Sequence, residues 1–127
     1  MRRVVDAMNV IGSRPDGWWR HRGEAIERLV ARLEAWAVEE GEQVTVVLEK
    51  PPSPPILSNE IEVAWAPRPA PNSADGEIVR RLPRWLEEES EVVLVTSDRD
   101  LADRASALGA EIEPSSRFRR RLDGVSE

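Results

Sequence analysis

The sequence predicts one α/β domain built on a mostly parallel β-sheet with helices covering both faces. Two observations carry this reading. Short β-branched and aliphatic runs alternate with longer segments whose apolar residues recur at spacings of three and four. The 127 residues, 40% hydrophobic and 33% charged, are enough for one hydrophobic core and too few for two.

Each element has its own signal. Val4 to Met8 reads as the first strand, and Gly12-Ser13-Arg14-Pro15-Asp16-Gly17 is dense enough in turn formers to be a loop. From Gly23 to Glu40, Ile26, Leu29, Val30, Leu33, Trp36 and Ala37 form one stripe of a helix that Gly41 ends. Val44 to Leu48 is a buried strand. Prolines 51, 52, 54 and 55 then forbid regular structure until Ile61 to Trp65, whose alternation suits an edge strand. Asn72 or Ser73 caps a helix carrying Ile78, Val79 and Leu82. Pro83 is expected to break or kink it, with Trp85 and Leu86 on a short second piece. Val92 to Thr96 is the strongest strand signal. Ser97 or Asp98 caps the next helix, with Leu101, Ala102, Ala105 and Leu108 inward and Gly109 at its end, and Ala110 to Ile112 makes a last strand. The resulting order is βαββαβαβ.

Composition excludes several chemistries. There is no cysteine, hence no disulfide or thiolate metal site, and the single histidine, His21, removes histidine-based triads. No apolar run approaches a membrane span and no secretory core follows Met1-Arg2-Arg3, so the cytoplasm is the expected location. The net charge of −6 argues against a polyanionic partner for the chain as a whole. Its distribution does not: Arg14, Arg20 and Arg22 share one loop, and Arg117, Arg119, Arg120 and Arg121 share the C-terminal segment, leaving local basic patches.

Four aspartates fall where the chain leaves a strand or enters a helix: Asp6, Asp75, Asp98 and Asp100. Singly, each has a local explanation, as an Asx turn at Asp6 to Asn9, a helix-terminus charge at Asp75 and Asp100, or an N-cap at Asp98. Jointly they converge, because a doubly wound sheet brings the carboxyl ends of its first and fourth strands to one edge. Carboxylates gathered without a cation repel one another, so the natural occupant is a hard divalent ion, Mg2+ or Mn2+. Such ions hold a phosphate and activate water, which is the chemistry of phosphodiester hydrolysis.

Asp6-Ala7-Met8-Asn9-Val10-Ile11-Gly12, Ser73-Ala74-Asp75 and Val95-Thr96-Ser97-Asp98-Arg99-Asp100 together resemble the NYN domain of the PIN-like nuclease superfamily, in its YacP-like branch, over roughly residues 3–113. The resemblance implies a single-domain, PIN-like, Rossmann-like α/β/α sandwich, followed by a basic tail over residues 114–127. It also implies metal-dependent endoribonuclease activity. Asp6, Asp75, Asp98 and Asp100 would be the catalytic and metal-binding carboxylates, with Asn9 placing a water, a carboxylate or the substrate phosphate. Thr96 and Ser97 would orient the acid that follows them. Leu48-Glu49 stands where many members have Phe-Asp, which offers Glu49 as an outer carboxylate. Because the chain ends shortly after its last strand, a C-terminal helix is expected to be reduced or missing.

Trp18-Trp19 sits among Arg14, Arg20 and Arg22, and aromatic rings beside arginine can clamp single-stranded RNA. One ring of the pair is expected to pack on the helix face, leaving the other, assigned to Trp18, with the arginines as a substrate contact. The arginine-rich segment from Ser115 to Arg121 is either an RNA-facing tail or a frayed terminus. The competing function is a catalytically silent RNA-binding or ribosome-associated module of the same fold. Phosphatase chemistry of the haloacid dehalogenase kind is disfavoured because Met8 occupies the place of its second aspartate, and glycine-rich phosphate loops are absent.

Overall fold

A computed structural model describes residues 1–14 and 16–124 of the chain. Pro15 of the expected loop and the last three residues of the expected tail lie outside the described residues. Five parallel strands, β1 (Arg2–Asp6), β2 (Gln43–Leu48), β3 (Glu62–Trp65), β4 (Val92–Val95) and β5 (Glu111–Glu113), form one sheet in the order β3-β2-β1-β4-β5. β3 is an edge strand, as its alternation suggests. The five described α-helices are α1 (Ala7–Ile11), α2 (Arg22–Glu40), α3 (Ser73–Glu88), α4 (Arg99–Leu108) and α5 (Ser115–Leu122), and a 3-10 turn spans Trp18–Arg20.

Strand residues alternate between two cores. Val5, Val46 and Val95 face one side and pack with Val10, Ile11, Leu29, Leu33 and Phe118 from α1, α2 and α5. Val4, Val47 and Leu94 face the other and pack with Ile78, Leu82, Trp85, Leu101 and Ala105 from α3 and α4. The result is the expected α/β/α sandwich. β1 sits between β2 and β4, and the strand order reverses there, so the carboxyl ends of β1 and β4 flank the switch point where such sheets bind ligands.

Three expectations are corrected. The first strand stops at Asp6 rather than Met8, because Ala7, Val10 and Ile11 are all buried and their spacing satisfies a helical turn. Pro83 does not divide its helix: α3 is continuous, with Leu82 and Trp85 buried on either side and the proline on the exposed face, where solvent can serve the backbone carbonyl that loses its partner.

The third correction concerns the C-terminal segment, which is neither a frayed tail nor a missing helix. α5 docks on α1 and α2, Phe118 is fully buried, and its ring meets Trp36 edge-on at 5.3 Å. Much of its basic charge is used inside the fold. Arg119 donates to the carbonyls of Val10 and Ile11 at 3.0 and 2.9 Å, while Arg121 pairs with Glu113 at 2.9 Å. Glu113 also pairs with the buried Arg3, which donates to Glu42 at 2.7 Å and lies 5.0 Å from the centre of the Phe118 ring. Removing either partner of such a buried pair leaves an uncompensated charge, so the network ties α5 firmly to the sheet.

Candidate active site

β1 delivers Asp6 and β4 delivers Thr96 at neighbouring positions, because the register pairs Val5 with Val95. The Thr96 hydroxyl donates to Asp6 Oδ2 at 3.0 Å, and Thr96 Oγ1 in turn accepts from the backbone N–H of Asp98 at 3.2 Å. Asp98 itself is the N-cap of α4, its Oδ1 accepting from the N–H of Leu101 at 2.9 Å. Thr96 therefore holds the side chain of the first-strand acid and the backbone of the acid that follows it, while the Asp98 carboxylate itself is oriented by its own helix.

α3 delivers the third carboxylate. Asn72 takes a left-handed conformation at φ 59°, one that asparagine tolerates, and turns the chain into the helix so that Asp75 lies in the first turn. Ser73 fastens that turn to the sheet by donating to the carbonyl of Glu49 at 2.6 Å. Asp6, Asp75 and Asp98 line one cavity of about 200 Å3, with Asn9, Glu49 and Asn72 on its walls. Among the described residues, no arginine or lysine lines it.

Asp100 stands apart. Its side chain is 82% exposed on the first turn of α4, 3.8 Å from Arg104, and it does not line the cavity. The two-residue spacing from Asp98 explains this: Asp98 caps the helix, while Asp100 already belongs to it and points to a different side.

Charge and burial act together on the remaining acids. Asp6, 4% exposed, is pushed up to about 7, chiefly by burial and further by the charges of Asp75 and Asp98, against the Thr96 hydrogen bond that favours its ionised form. Asp75 is raised as well, by burial and then by Asp98. A divalent cation suits this cavity chemically: the available donors are hard carboxylate oxygens, and their mutual repulsion is what a cation relieves. Among the described residues, however, no group of three or more acidic or histidine side chains is gathered tightly enough to hold an ion as it stands.

Asn9 acts as a brace. Its Oδ1 accepts from the backbone N–H of Ser97 at 2.8 Å and from the Ser115 hydroxyl at 2.6 Å, joining α1, the β4–α4 turn and the start of α5. Ser97 completes the tie, its hydroxyl accepting from the N–H of Ser115 at 2.9 Å. Ser115, fully buried, is thus a site residue that the sequence reading missed. The signal was present, since Ser115, Phe118 and Leu122 share one face behind Pro114, but the intervening arginines masked it.

The basic and aromatic candidates divide. Trp18 is half-buried against the α2 face with Arg22 5.3 Å from its ring centre, and it lines a separate small cavity with Asp16 and Arg119. The exposed ring of the pair is Trp19, at 55%. Arg14 pairs with Asp123. Arg20 and Arg22 are exposed.

The family model of the YacP-like NYN domain matches residues 3–127. The crystal structure of Rae1 (YacP) from Bacillus subtilis superposes with a TM-score of 0.80 at 19% identity, covering 98% of this chain and 74% of that one. A crystal structure of a mutant of the same protein gives 0.80 at 20% identity, covering 97% and 75%. At such identities the likeness shows the fold. Among curated protein sequences, none matches this chain.

Proposed function

Because the chain belongs to the YacP-like NYN domain family, a family of nuclease-like and RNA-related character, we propose that it is a metal-dependent ribonuclease that hydrolyses RNA phosphodiester bonds endonucleolytically. The observation that carries this reading is the shared cavity of Asp6, Asp75 and Asp98, brought from three separate elements to the switch point of the sheet.

Asp6, Asp75 and Asp98 would hold Mg2+ or Mn2+, with Glu49 as an outer carboxylate. The bound cation would supply the positive charge that draws in a phosphate and makes water a competent nucleophile. The protein's own part is positioning. Thr96 fixes Asp6, the Asn9–Ser97–Ser115 tie holds α1 against the β4–α4 turn, and the Ser73 bond fixes the height of Asp75. Ionised Asp6 is disfavoured by burial and by Asp75 and Asp98, and ionised Asp75 by burial and by Asp98, so the cavity favours a cation-bound or proton-bearing state over bare carboxylates. Arg20 and Arg22, with the exposed Trp19 ring, supply charge and a stacking face for the strand beyond the scissile bond. Asp100 contributes to the potential at Asp75 from outside the cavity.

A circular single-stranded RNA tests both the activity and its mode, since it has no end for an exonuclease. Linearisation that needs Mg2+ or Mn2+, and that Asp98→Asn abolishes by ~100-fold or more, supports the reading. Asparagine still caps α4, so the variant's fold should survive. Undiminished cutting by Asp98→Asn would remove the carboxylate assignment. Intact, metal-independent RNA complexes would favour the silent RNA-binding or ribosome-associated module.

A further inference from the structure

A second cavity, of about 330 Å3, opens beside the carboxylate cavity, and Met8 and Glu49 line both. One wall is the first turn of α2. The other is the segment after β2, where successive prolines cannot donate to a ladder and so hold the chain off the sheet. Half-buried Ile26 and Ile56 pack on the core beneath and give the groove an apolar floor. Two exposed cations, Arg22 and Lys50, stand on opposite walls, and the carboxylates of Glu27 and Glu49 line the groove with them.

We propose that this groove seats one unpaired nucleobase of a single-stranded RNA, the base adjoining the phosphodiester held at the carboxylate cavity. The inference rests on the ribonuclease reading. Its volume lies at the lower end of the range for small-molecule sites, roughly 300–1,000 Å3, and its aliphatic and proline walls match the flat apolar face of a base. Position selects the occupant. The groove shares Met8 and Glu49 with the carboxylate cavity, so a strand whose phosphodiester lies at the carboxylates carries its adjoining base to this groove, and its flanking phosphates meet Arg22 and Lys50. A base locked in a duplex cannot enter without leaving its stack, so the groove confers a preference for single strands.

Gly23 provides the test. It lies on the groove wall, exposed, and a Cβ built there meets nothing within 4 Å, so Gly23→Phe starts its side chain in open space at the mouth of the groove. Short single-stranded RNAs carrying 2-aminopurine at successive positions are titrated, with Mg2+ present, into protein bearing Asp98→Asn so that the RNA stays whole. In one register the fluorescence changes on binding. Adding Gly23→Phe abolishes that change and weakens binding roughly tenfold, the loss expected for one base contact, while Gly23→Ala behaves as the parent. An abasic nucleotide at the responding position weakens binding to the parent by a similar factor, a measurement independent of how well the Phe variant folds.

RNA binding in which no register responds, or an abasic site without effect, overturns the proposal. The two readings fail separately. If wild-type protein cleaves RNA and Gly23→Phe binds as tightly as Gly23, the groove assignment falls and the nuclease stands. Base uptake by a wild-type protein that cleaves nothing with Mg2+ or Mn2+ leaves the groove and removes the nuclease.

Discussion

Replacing Asp6 with asparagine separates the electrostatic cost of the carboxylate cavity from its chemistry. In the folded protein Asp6 titrates at about 7, against an ordinary value of 3.8. A gap of about 3 units at ~1.4 kcal/mol each means that ionising Asp6 destabilises the metal-free fold by about 4 kcal/mol. The folded value is the raised one, so the native state holds its proton more tightly than the unfolded chain does. This stabilisation is complete below about pH 4 and is lost as pH rises through about 7. Between pH 5 and pH 8 the loss is about 3 kcal/mol. Asparagine cannot ionise. It keeps an acceptor for Thr96 but turns an amide N–H toward the backbone N–H of Asn9, which the carboxylate accepts, a mismatch costing ~1–3 kcal/mol at any pH. Urea unfolding of both proteins with chelator at pH 5 and pH 8 isolates the titration of Asp6 and of the acids coupled to it, because the mismatch and the ionisations that do not feel Asp6 cancel in the difference. The variant should gain about 3 kcal/mol on wild type over that interval. Adding Mn2+ at pH 8, at about 100 times its dissociation constant, should then stabilise wild type by ~2.7 kcal/mol and the variant by much less. A difference near zero between the two pH values would refute both the burial argument and the charge coupling of the three acids.

Other outcomes follow from where the side chains stand. Asp100→Asn, at an exposed position outside the cavity, should change RNA cleavage by no more than about threefold, since its charge is screened by solvent; a loss as large as that of Asp98→Asn would place it at the metal after all. Phe118→Ala should cost ~3–5 kcal/mol in urea unfolding, because α5 is part of the core. An unchanged midpoint would return residues 115–122 to the status of a tail. Both measurements are independent of the substrate groove.

The sheet was legible in the sequence because its strands are short β-branched runs bounded by glycine and proline, and the two aspartates that end or follow β1 and β4 were legible for the same reason. The misreadings share a cause. Ala7 to Ile11 continues the apolar character of β1, so the local pattern does not show where the period changes from two to three and four; burial of Ala7, Val10 and Ile11 on one face decides it. In α5 one phenylalanine and one leucine among four arginines look like a solvated end until Glu113, from the strand just before, and the buried Arg3, from a strand far away in the chain, supply partners. Pro83 obeys its local rule, but Leu82 and Trp85 belong to a core that outweighs one lost hydrogen bond.

By itself the sequence determined the α/β class, the caps and stops of the long helices, and the donor chemistry of the site, because these depend on residue type and on spacing along one element. Only the tertiary structure decided which carboxylates share a cavity. Asp6, Asp75 and Asp98 meet through the register of β1 with β4 and the docking of α3, whereas Asp100, two residues from Asp98, is carried away by the turn of α4. The role of Ser115 as the brace of Asn9 was likewise invisible, since a hydrogen bond across 106 positions is created by packing and has no local signature.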